Sequence, residues 1–190
     1  MRAFIAVTLP EEIKDGLHRL QEKLKISQAD VKWVDPAQLH LTLKFLDEID
    51  ETSRKEIGIA LDKVAGSFPA FNAGLSTLGA FPRPESPRII WVGMNAGAGQ
   101  MQDVVQDLEN QLIRIGIPKE ERTFAAHITL GRTRSTAHLK ELTQALISLK
   151  DQPGRQQLSF RVQTLTLFKS TLTPHGPIYE IVQESTLKTT

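Results

Sequence analysis

The chain has 190 residues, enough for one full hydrophobic core or for two small lobes that share one. Its hydrophobic fraction of 40% and charged fraction of 24% are ordinary for a globular protein, and a formal net charge of +1 excludes a strong overall field for polyanions. Cysteine is absent, which excludes disulfides, thiolate metal sites and cysteine nucleophiles and predicts a cytoplasmic location.

Hydrophobic periodicity predicts strands and helices in alternation along the whole chain. No apolar run approaches the ~20 residues of a membrane helix, and Pro10 ends the N-terminal run too early for a targeting segment. The predicted strands are Phe4–Leu9, Val31–Val34, Leu39–Leu46, Phe71–Leu78, Ile89–Met94, Phe124–Leu130, Leu158–Phe168 and Ile178–Val182. The predicted helices run from Pro10 to about Leu24, from a cap at Thr52 or Ser53 to Gly66, from Gly99 through Ile115, and across Leu139–Leu149.

Residues 80–88 form the most irregular segment of the sequence. They contain three prolines, two arginines and the aromatic Phe81. Proline lacks a backbone donor and disrupts both helices and sheet ladders, so the segment predicts a loop of defined shape.

A short motif, histidine–apolar–threonine–leucine, occurs twice, at His40–Leu43 and at His127–Leu130. Each copy lies in a predicted strand, where side chains alternate between the two faces. His40 therefore shares a face with Thr42, and His127 shares a face with Thr129. Two matched pairs predict a pseudo-symmetric pocket that holds two imidazoles and two hydroxyls.

The order of the elements predicts the fold class. Several consecutive strands are joined by links too short for a helical crossover, which favours antiparallel or mixed sheets with outer helices, an α+β class. Both halves follow the order strand, helix, histidine–threonine strand, helix, strand, and this repetition predicts a structural duplication. No linker separates independent units, so we expect residues 1–190 to form one domain.

Two histidines in one pocket suit proton transfer at phosphorus. Histidine has an ordinary pKa near neutral pH, so one imidazole can be neutral while the other is charged. The neutral ring takes a proton from the attacking group, and the charged ring gives one to the leaving group. The threonine hydroxyls would donate hydrogen bonds to the non-bridging oxygens. We therefore predict a phosphodiester site that needs neither a metal nor another cofactor.

The paired motifs resemble those of the 2H phosphoesterase superfamily. Longer stretches are similar to the bacterial RNA 2′,3′-cyclic phosphodiesterases, a family first described as 2′-5′ RNA ligases. The similar stretches are Phe4–Val7, Val31–Pro36, Leu39–Leu46, Gly79–Pro84, His127–Arg132 and Ser170–Leu172, together with Gly176 and Tyr179. The resemblance therefore spans nearly the whole chain.

The resemblance implies a bilobal α+β fold in which two antiparallel sheets line a central cleft, with one motif from each of two interleaved lobes. It implies hydrolysis of RNA 2′,3′-cyclic phosphate ends to 2′-phosphomonoesters, with His40 as proton donor and His127 as proton acceptor. Thr42 and Thr129 would hold the phosphate, joined by the basic Arg132. The implied partner is RNA with a 2′,3′-cyclic phosphate end, or a 2′,3′-cyclic nucleotide, and we expect a monomer.

Three residues depart from the pattern of that family. Ala126 stands where a proline is common, Gly131 where alanine is common, and Asp47 where glycine is frequent. None of these changes removes a catalytic group, but Asp47 adds a negative charge near the expected cleft.

Other side chains near the motifs have two interpretations each. Arg132 has the wrong parity for a regular strand, and we expect Gly131 to permit a bulge that turns it toward the phosphate. Phe81 would either stack on an RNA base or anchor its loop in the core. Lys44 shares parity with His40 and therefore either reaches the pocket or is an exposed lysine at the strand end.

The tryptophans are expected in the core, and rival functions remain open. Trp33 and Trp91 lie on apolar strands, which predicts burial. The same catalytic groups would serve a 2′-5′ RNA ligase that runs the reverse reaction, and a protein that binds RNA ends without turnover is a second alternative. A metal site is disfavoured because no carboxylate has a matching offset in both motifs. A serine hydrolase lacks its Gly-x-Ser-x-Gly turn.

Overall fold

The structure of the chain, a computed structural model, describes residues 1–150, 158–174 and 176–189. The helices are α1 (Glu11–Lys25), α2 (Glu51–Ala65), α3 (Ala98–Arg114) and α4 (Leu139–Lys150). The strands are β1 (Arg2–Thr8), β2 (Val31–Trp33), β3 (His40–Glu48), β4 (Phe71–Arg83), β5 (Ser86–Met94), β6 (His127–Thr133), β7 (Leu158–Val162), β8 (Thr164–Thr173) and β9 (Gly176–Thr186).

The strands form two antiparallel sheets. Sheet A has the order β3-β1-β8-β9, and sheet B has the order β2-β6-β5-β4-β7. The chain enters sheet A, crosses to sheet B for β2, returns for β3 and crosses again for β4, so the two sheets are interleaved in sequence. The predicted α+β class with two antiparallel sheets and a duplicated order of elements is confirmed.

One hydrophobic core lies between the sheets and the helices. Each helix turns an apolar stripe inward, as Ile13, Leu17 and Leu24 do on α1. On the motif strands the leucines and isoleucine point into this core, where Leu41, Ile128 and Leu130 are fully buried. The alternate positions, which include the histidines and threonines, therefore face away from the core into the cleft.

The predicted loop at residues 80–88 is wrong. Strands β4 and β5 form a long hairpin in which Pro82 lies opposite Pro87 and Arg83 opposite Ser86. The register shifts between Phe81 and Pro82, where the peptide bond is cis. Because the prolines lie opposite one another beyond this irregularity, the ladder continues past them, as prolines at a bulge allow.

Two element boundaries also differ from prediction. The single strand predicted over Leu158–Phe168 is two strands, because the chain passes from sheet B to sheet A at Gln163. Helix α2 begins earlier than predicted, since Asp50 is its N-cap and accepts a hydrogen bond from the backbone N–H of Ser53 at 2.8 Å. Within the described residues, no helix combines the length and the apolar character that a membrane crossing needs.

Candidate active site

The two motif strands, β3 and β6, are in contact where sheet A meets sheet B. The backbone N–H of Val34, directly after β2, donates to the carbonyl of Leu130 in the second motif at 2.9 Å. The buried amide of Gln21 on α1 donates to both the Val34 and the Leu130 carbonyls, at 2.8 and 2.9 Å. These bonds tie the second motif to β2 and α1, and the contact between β3 and β6 brings the cleft-facing sides of the two motifs together.

Both catalytic candidates are held by their own backbone in the same way. The Nδ1 atom of His40 lies 2.7 Å from the carbonyl oxygen of Gln38, and Nδ1 of His127 lies 2.6 Å from that of Ala125. A carbonyl only accepts, so each Nδ1 carries the proton. In a neutral ring Nε2 is then the free acceptor, which makes Nε2 the atom that exchanges protons in both motifs.

Aromatic rings surround each imidazole, three at His40 and two at His127. The ring of His40 lies 4.9 Å from that of Phe4 and 5.4 Å, edge to face at 90°, from that of Tyr179. The ring of His127 lies 5.2 Å, at 88°, from that of Phe81 and 6.2 Å from that of Trp91. These contacts limit rotation of the rings, so the pseudo-symmetry predicted for the motifs extends to their surroundings.

Burial changes the acidity of two cleft groups. Desolvation lowers the pKa of His40 because the charged imidazolium loses water, and the hydrogen bond to Gln38 opposes this effect. Burial likewise raises the pKa of the Tyr179 hydroxyl, with Arg132 and Arg2 opposing it through their positive charges. Tyr179 contacts His40, and the charge of Arg132 on the second motif strand acts on the Tyr179 hydroxyl.

The threonines of the motifs are available to a ligand. Thr42 and Thr129 are half-buried and lie on the cleft faces of β3 and β6. In the part of the chain that the structure describes, neither hydroxyl makes a hydrogen bond. Both can therefore donate to an anion between the histidines.

Matched bulges follow the two motifs. In β3, Thr42 pairs with Ala6 and Lys44 with Ile5, so Leu43 is the extra residue. In β6, Thr129 pairs with Trp91 and Gly131 with Ile90, so Leu130 is the extra residue. A one-residue bulge reverses the alternation of side chains. The fifth residue after each histidine, Phe45 in β3 and Arg132 in β6, is therefore turned to the cleft face.

Arg132 lies where the predicted bulge would place it, since Gly131 occupies the bulge and the arginine is exposed on the cleft side. Lys44 follows neither interpretation offered by the sequence. It is 6% exposed, and its ammonium donates to both carboxylate oxygens of Glu109 on α3 at 2.9 and 3.1 Å and to the carbonyl of Pro118 at 2.8 Å. The bulge turned it away from the pocket, which strand parity alone did not anticipate.

Aromatic residues differ from prediction in two ways. Trp91 is not in the core: it is half-buried beside His127, with its indole over Gly79 and Gly93. Phe81 is on strand β4 rather than in a loop, and its ring packs against Trp91 and His127.

Sequence reasoning gave no role to the aromatic residues of sheet A. Phe4, Ala6 and Phe168 form a small apolar cluster on the cleft side of that sheet, apart from the main core, and Tyr179 packs on it. The register of the strands explains this placement. Phe4 is paired with Phe45, which faces the cleft, and Phe168 is paired with Phe4.

The described residues contain no cluster of three or more histidine, cysteine or acidic side chains that would hold a metal ion. His18 on α1 and His138 in the turn before α4 are partly exposed, with side-chain exposures of 43% and 51%. Asp47 has a positive φ of 53°, the conformation that glycine adopts without strain, which explains why glycine suits this position.

Comparisons with known proteins agree with this architecture. The profile of the LigT-like phosphoesterase family matches the chain twice, over residues 7–91 and 92–179. An RNA 2′,3′-cyclic phosphodiesterase of Methanocaldococcus jannaschii is 35% identical over 97% of this chain and 99% of its own. One from Thermotoga maritima is 34% identical over 97% of this chain and 94% of its own.

Solved structures show the same fold. TT0787 of Thermus thermophilus superposes with a TM-score of 0.81 at 28% identity and covers 98% of both chains. Escherichia coli LigT complexed with 3′-AMP has a TM-score of 0.79 at 26% identity, with 98% of this chain and 97% of that chain covered. Paired histidine–threonine motifs on two interleaved antiparallel sheets define a 2H phosphoesterase. The chain belongs to the LigT-like phosphoesterase family.

Proposed function

We propose that the protein hydrolyses the 2′,3′-cyclic phosphate ends of RNA to 2′-phosphomonoesters by two-histidine acid–base catalysis that needs no metal. The observation that carries the proposal is the matched fixation of His40 and His127. Each donates from Nδ1 to the carbonyl two residues earlier, which leaves Nε2 available for proton exchange with a substrate. Curated relatives similar over nearly their whole length are named for this activity.

The reaction is a displacement at phosphorus. Water attacks the cyclic phosphate while Nε2 of His127 takes its proton, and the bond from phosphorus to O3′ breaks. Nε2 of His40 gives a proton to O3′, which leaves a 2′-phosphate and a free 3′-hydroxyl. Proton transfer from the attacking water and to the leaving O3′ replaces the charge stabilisation that a metal would otherwise supply.

The remaining cleft residues would hold the phosphate and the base. The Thr42 and Thr129 hydroxyls would donate to the non-bridging oxygens, and the Arg132 guanidinium would supply a charge-assisted bond. Phe81, beside His127, offers an aromatic ring for base stacking.

The assignment of acid and base rests on the family resemblance. The lowered pKa of His40 favours its neutral form in the free protein, whereas a proton donor must be charged. A bound phosphate is negative and favours the charged form, so we propose that substrate binding opposes the desolvation of His40 and makes it the acid.

The site is complete in one chain, because both histidines and both threonines come from it. We therefore propose that the protein acts as a monomer. We also propose that its substrates are RNA ends in the cytoplasm.

The test is phosphorus NMR of the protein incubated with 2′,3′-cyclic AMP, with and without excess EDTA. We expect 2′-AMP as the product in both samples. His40→Ala and His127→Ala should each lower turnover by about 10²–10⁴-fold, the contribution of a positioned proton-transfer group. His18→Ala, on the surface of α1, is the matched control and should retain wild-type turnover.

Several outcomes would contradict the proposal. Loss of activity in EDTA, restored by one divalent ion, would replace the metal-free mechanism. Binding of the nucleotide without turnover would make the protein an RNA-end-binding protein. A new 2′-5′ linkage formed when RNA with a 5′-hydroxyl is added would identify a ligase.

A further inference from the structure

The edge strand β2 places an unpaired lysine beside Arg132 of the second motif strand. In the register of sheet B, Lys32 of the edge strand β2 lies directly opposite Arg132 of β6. Directly opposed residues have Cβ atoms about 4.5–5.5 Å apart and project from the same face of the sheet. Lys32 therefore projects from the same face as Arg132.

The packing beneath this pair fixes which face that is. A Cβ added to Gly131 would meet Val31 at 2.7 Å and Trp33 at 3.0 Å, so these two side chains cover the core side of the bulge. Val31 is buried there. Lys32 lies between them in sequence and must point the other way, into the cleft, as Arg132 does.

Neither cation is neutralised by the protein. Across the ranges that the structure describes, Lys32 and Arg132 form no ion pair and no side-chain hydrogen bond, and both are exposed. The nearest acidic residue of the strand segment, Asp30, is already paired with Arg134 at 2.8 Å. Like charges directly opposite each other on two strands are destabilising, and an anion bound beside them would relieve this repulsion.

The two bulges turn different kinds of side chain toward the cleft. The bulge after the first motif turns Phe45, 60% exposed, to the cleft, whereas the bulge after the second motif turns Arg132 there. A terminal cyclic phosphate has RNA chain on one side only. An otherwise duplicated cleft therefore needs additional cations at one end alone.

We propose that Lys32, beside the Arg132 that holds the terminal cyclic phosphate, binds the first internal phosphodiester of the RNA, the one that precedes that cyclic phosphate. This inference rests on the proposed function and deepens it, because it makes an oligonucleotide a better substrate than a cyclic mononucleotide. Lysine on an edge strand also discourages pairing between molecules. That role would give no preference for a charged internal linkage, so the two roles are distinguishable.

The experiment compares two diadenosine substrates that end in a 2′,3′-cyclic phosphate. One has a phosphodiester as its internal linkage, and the other has an uncharged methylphosphonate. We expect wild-type kcat/KM to favour the charged substrate by about fivefold, the effect of one exposed ion pair at the upper end of its range. Lys32→Gln should reduce this ratio to near one, and it should lower the salt slope of log kcat/KM for the charged substrate by about 0.7.

Lys140→Gln is the matched control, because Lys140 is an exposed lysine on α4. It should keep both the fivefold ratio and the salt slope. A wild-type ratio near one, or an unchanged ratio in Lys32→Gln, would overturn the second phosphate site. If 2′,3′-cyclic AMP is not hydrolysed at all, the proposed function fails instead. Fluorescence anisotropy with the same two dinucleotides then decides the site, and equal affinities would refute it.

Discussion

The chemistry of single residues in this cleft depends on backbone carbonyls as much as on neighbouring side chains. The carbonyl two residues before each histidine binds Nδ1 and thereby determines which nitrogen meets the ligand. A carboxylate in that place would favour the charged imidazolium more strongly. Because the acceptor in each case is a neutral carbonyl, it does not hold the imidazole in its charged form, which suits two histidines that change protonation state in each turnover.

The pH dependence of kcat/KM should be bell-shaped, with one limb displaced. Desolvation lowers the pKa of His40, and kcat/KM reports the groups of the free enzyme. The limb that belongs to His40 should therefore have its midpoint below the ordinary histidine value of about 6.5. If His40 is the acid, this is the basic limb, because activity falls as His40 loses its proton with rising pH.

Measurements on the two histidine variants assign the limbs. The residual activity of His40→Ala should lack the displaced limb, and that of His127→Ala should retain it. A displaced limb on the acidic side would make His40 the base and exchange the two roles. A profile that is flat from about pH 5 to about pH 9, with chemistry rate-limiting, would contradict the two-histidine mechanism.

At the scale of elements, bulges decide which side chains reach the cleft. Glycine at position 131 is required by its neighbours, since Val31 and Trp33 occupy the space of a Cβ. Gly131→Ala should therefore lower the free energy of unfolding by about 1–3 kcal/mol, the cost of overpacking a well-filled interior. The same change should lower kcat/KM, because a displaced bulge moves Arg132. Urea denaturation and steady-state kinetics measure the two effects.

Two further variants show whether the cost arises from that contact. Gly99→Ala places its Cβ in open space in the first turn of α3 and should be neutral or stabilising. In a Val31→Ala background, Gly131→Ala should cost clearly less, because the obstructing methyl group is gone. Equal costs in both backgrounds would show that contact with Val31 is not the cause.

The buried ion pair of Lys44 fixes the first motif strand to the loop that leads to the second. Glu109 accepts from Lys44 and also from the backbone N–H of Glu120 at 3.3 Å. Lys44→Met should cost about 3–5 kcal/mol in urea denaturation, because it leaves a buried carboxylate without its cation. The double variant Lys44→Met/Glu109→Leu should recover most of this loss. Lys25→Met, which removes an exposed pair with Glu22, should cost less than about 1 kcal/mol.

Sequence periodicity was sufficient for features that repeat over many residues and insufficient for single-residue irregularities. The helices and most strands follow from alternating or helical apolar patterns, and the paired motifs gave the cleft-facing histidines. Strand alternation gave the wrong side for Lys44 because one extra residue, Leu43, reverses the alternation, and no local pattern marks that residue. The hairpin at Pro82 was not predicted for a related reason. The sequence does not show that two prolines face each other across a ladder.

At the scale of the whole molecule, the two sheets share one core. A single cluster of buried residues contains Leu41 of sheet A together with Ile128 and Leu130 of sheet B. Helix α2 packs on α3 as well as on strands β8 and β9. The chain also crosses between the sheets repeatedly, so neither sheet consists of one continuous segment. We therefore propose that residues 1–190 behave as one domain despite the duplicated architecture.

A protein of this kind should unfold in one cooperative step. Unfolding either sheet alone would expose the shared core of the other, so partial unfolding has no free-energy advantage. Trp33 and Trp91 both belong to sheet B, and their fluorescence should therefore change at the same urea concentration as the far-ultraviolet circular dichroism of the whole chain. Hydrogen exchange should give the most protected amides of β1 in sheet A and of β5 in sheet B the same free energy of opening and the same dependence on urea.

If the lobes were independent, the fluorescence transition would separate from the dichroism transition, and β1 and β5 would open with different free energies. Either separation would show that the duplication produced two domains that share a cleft.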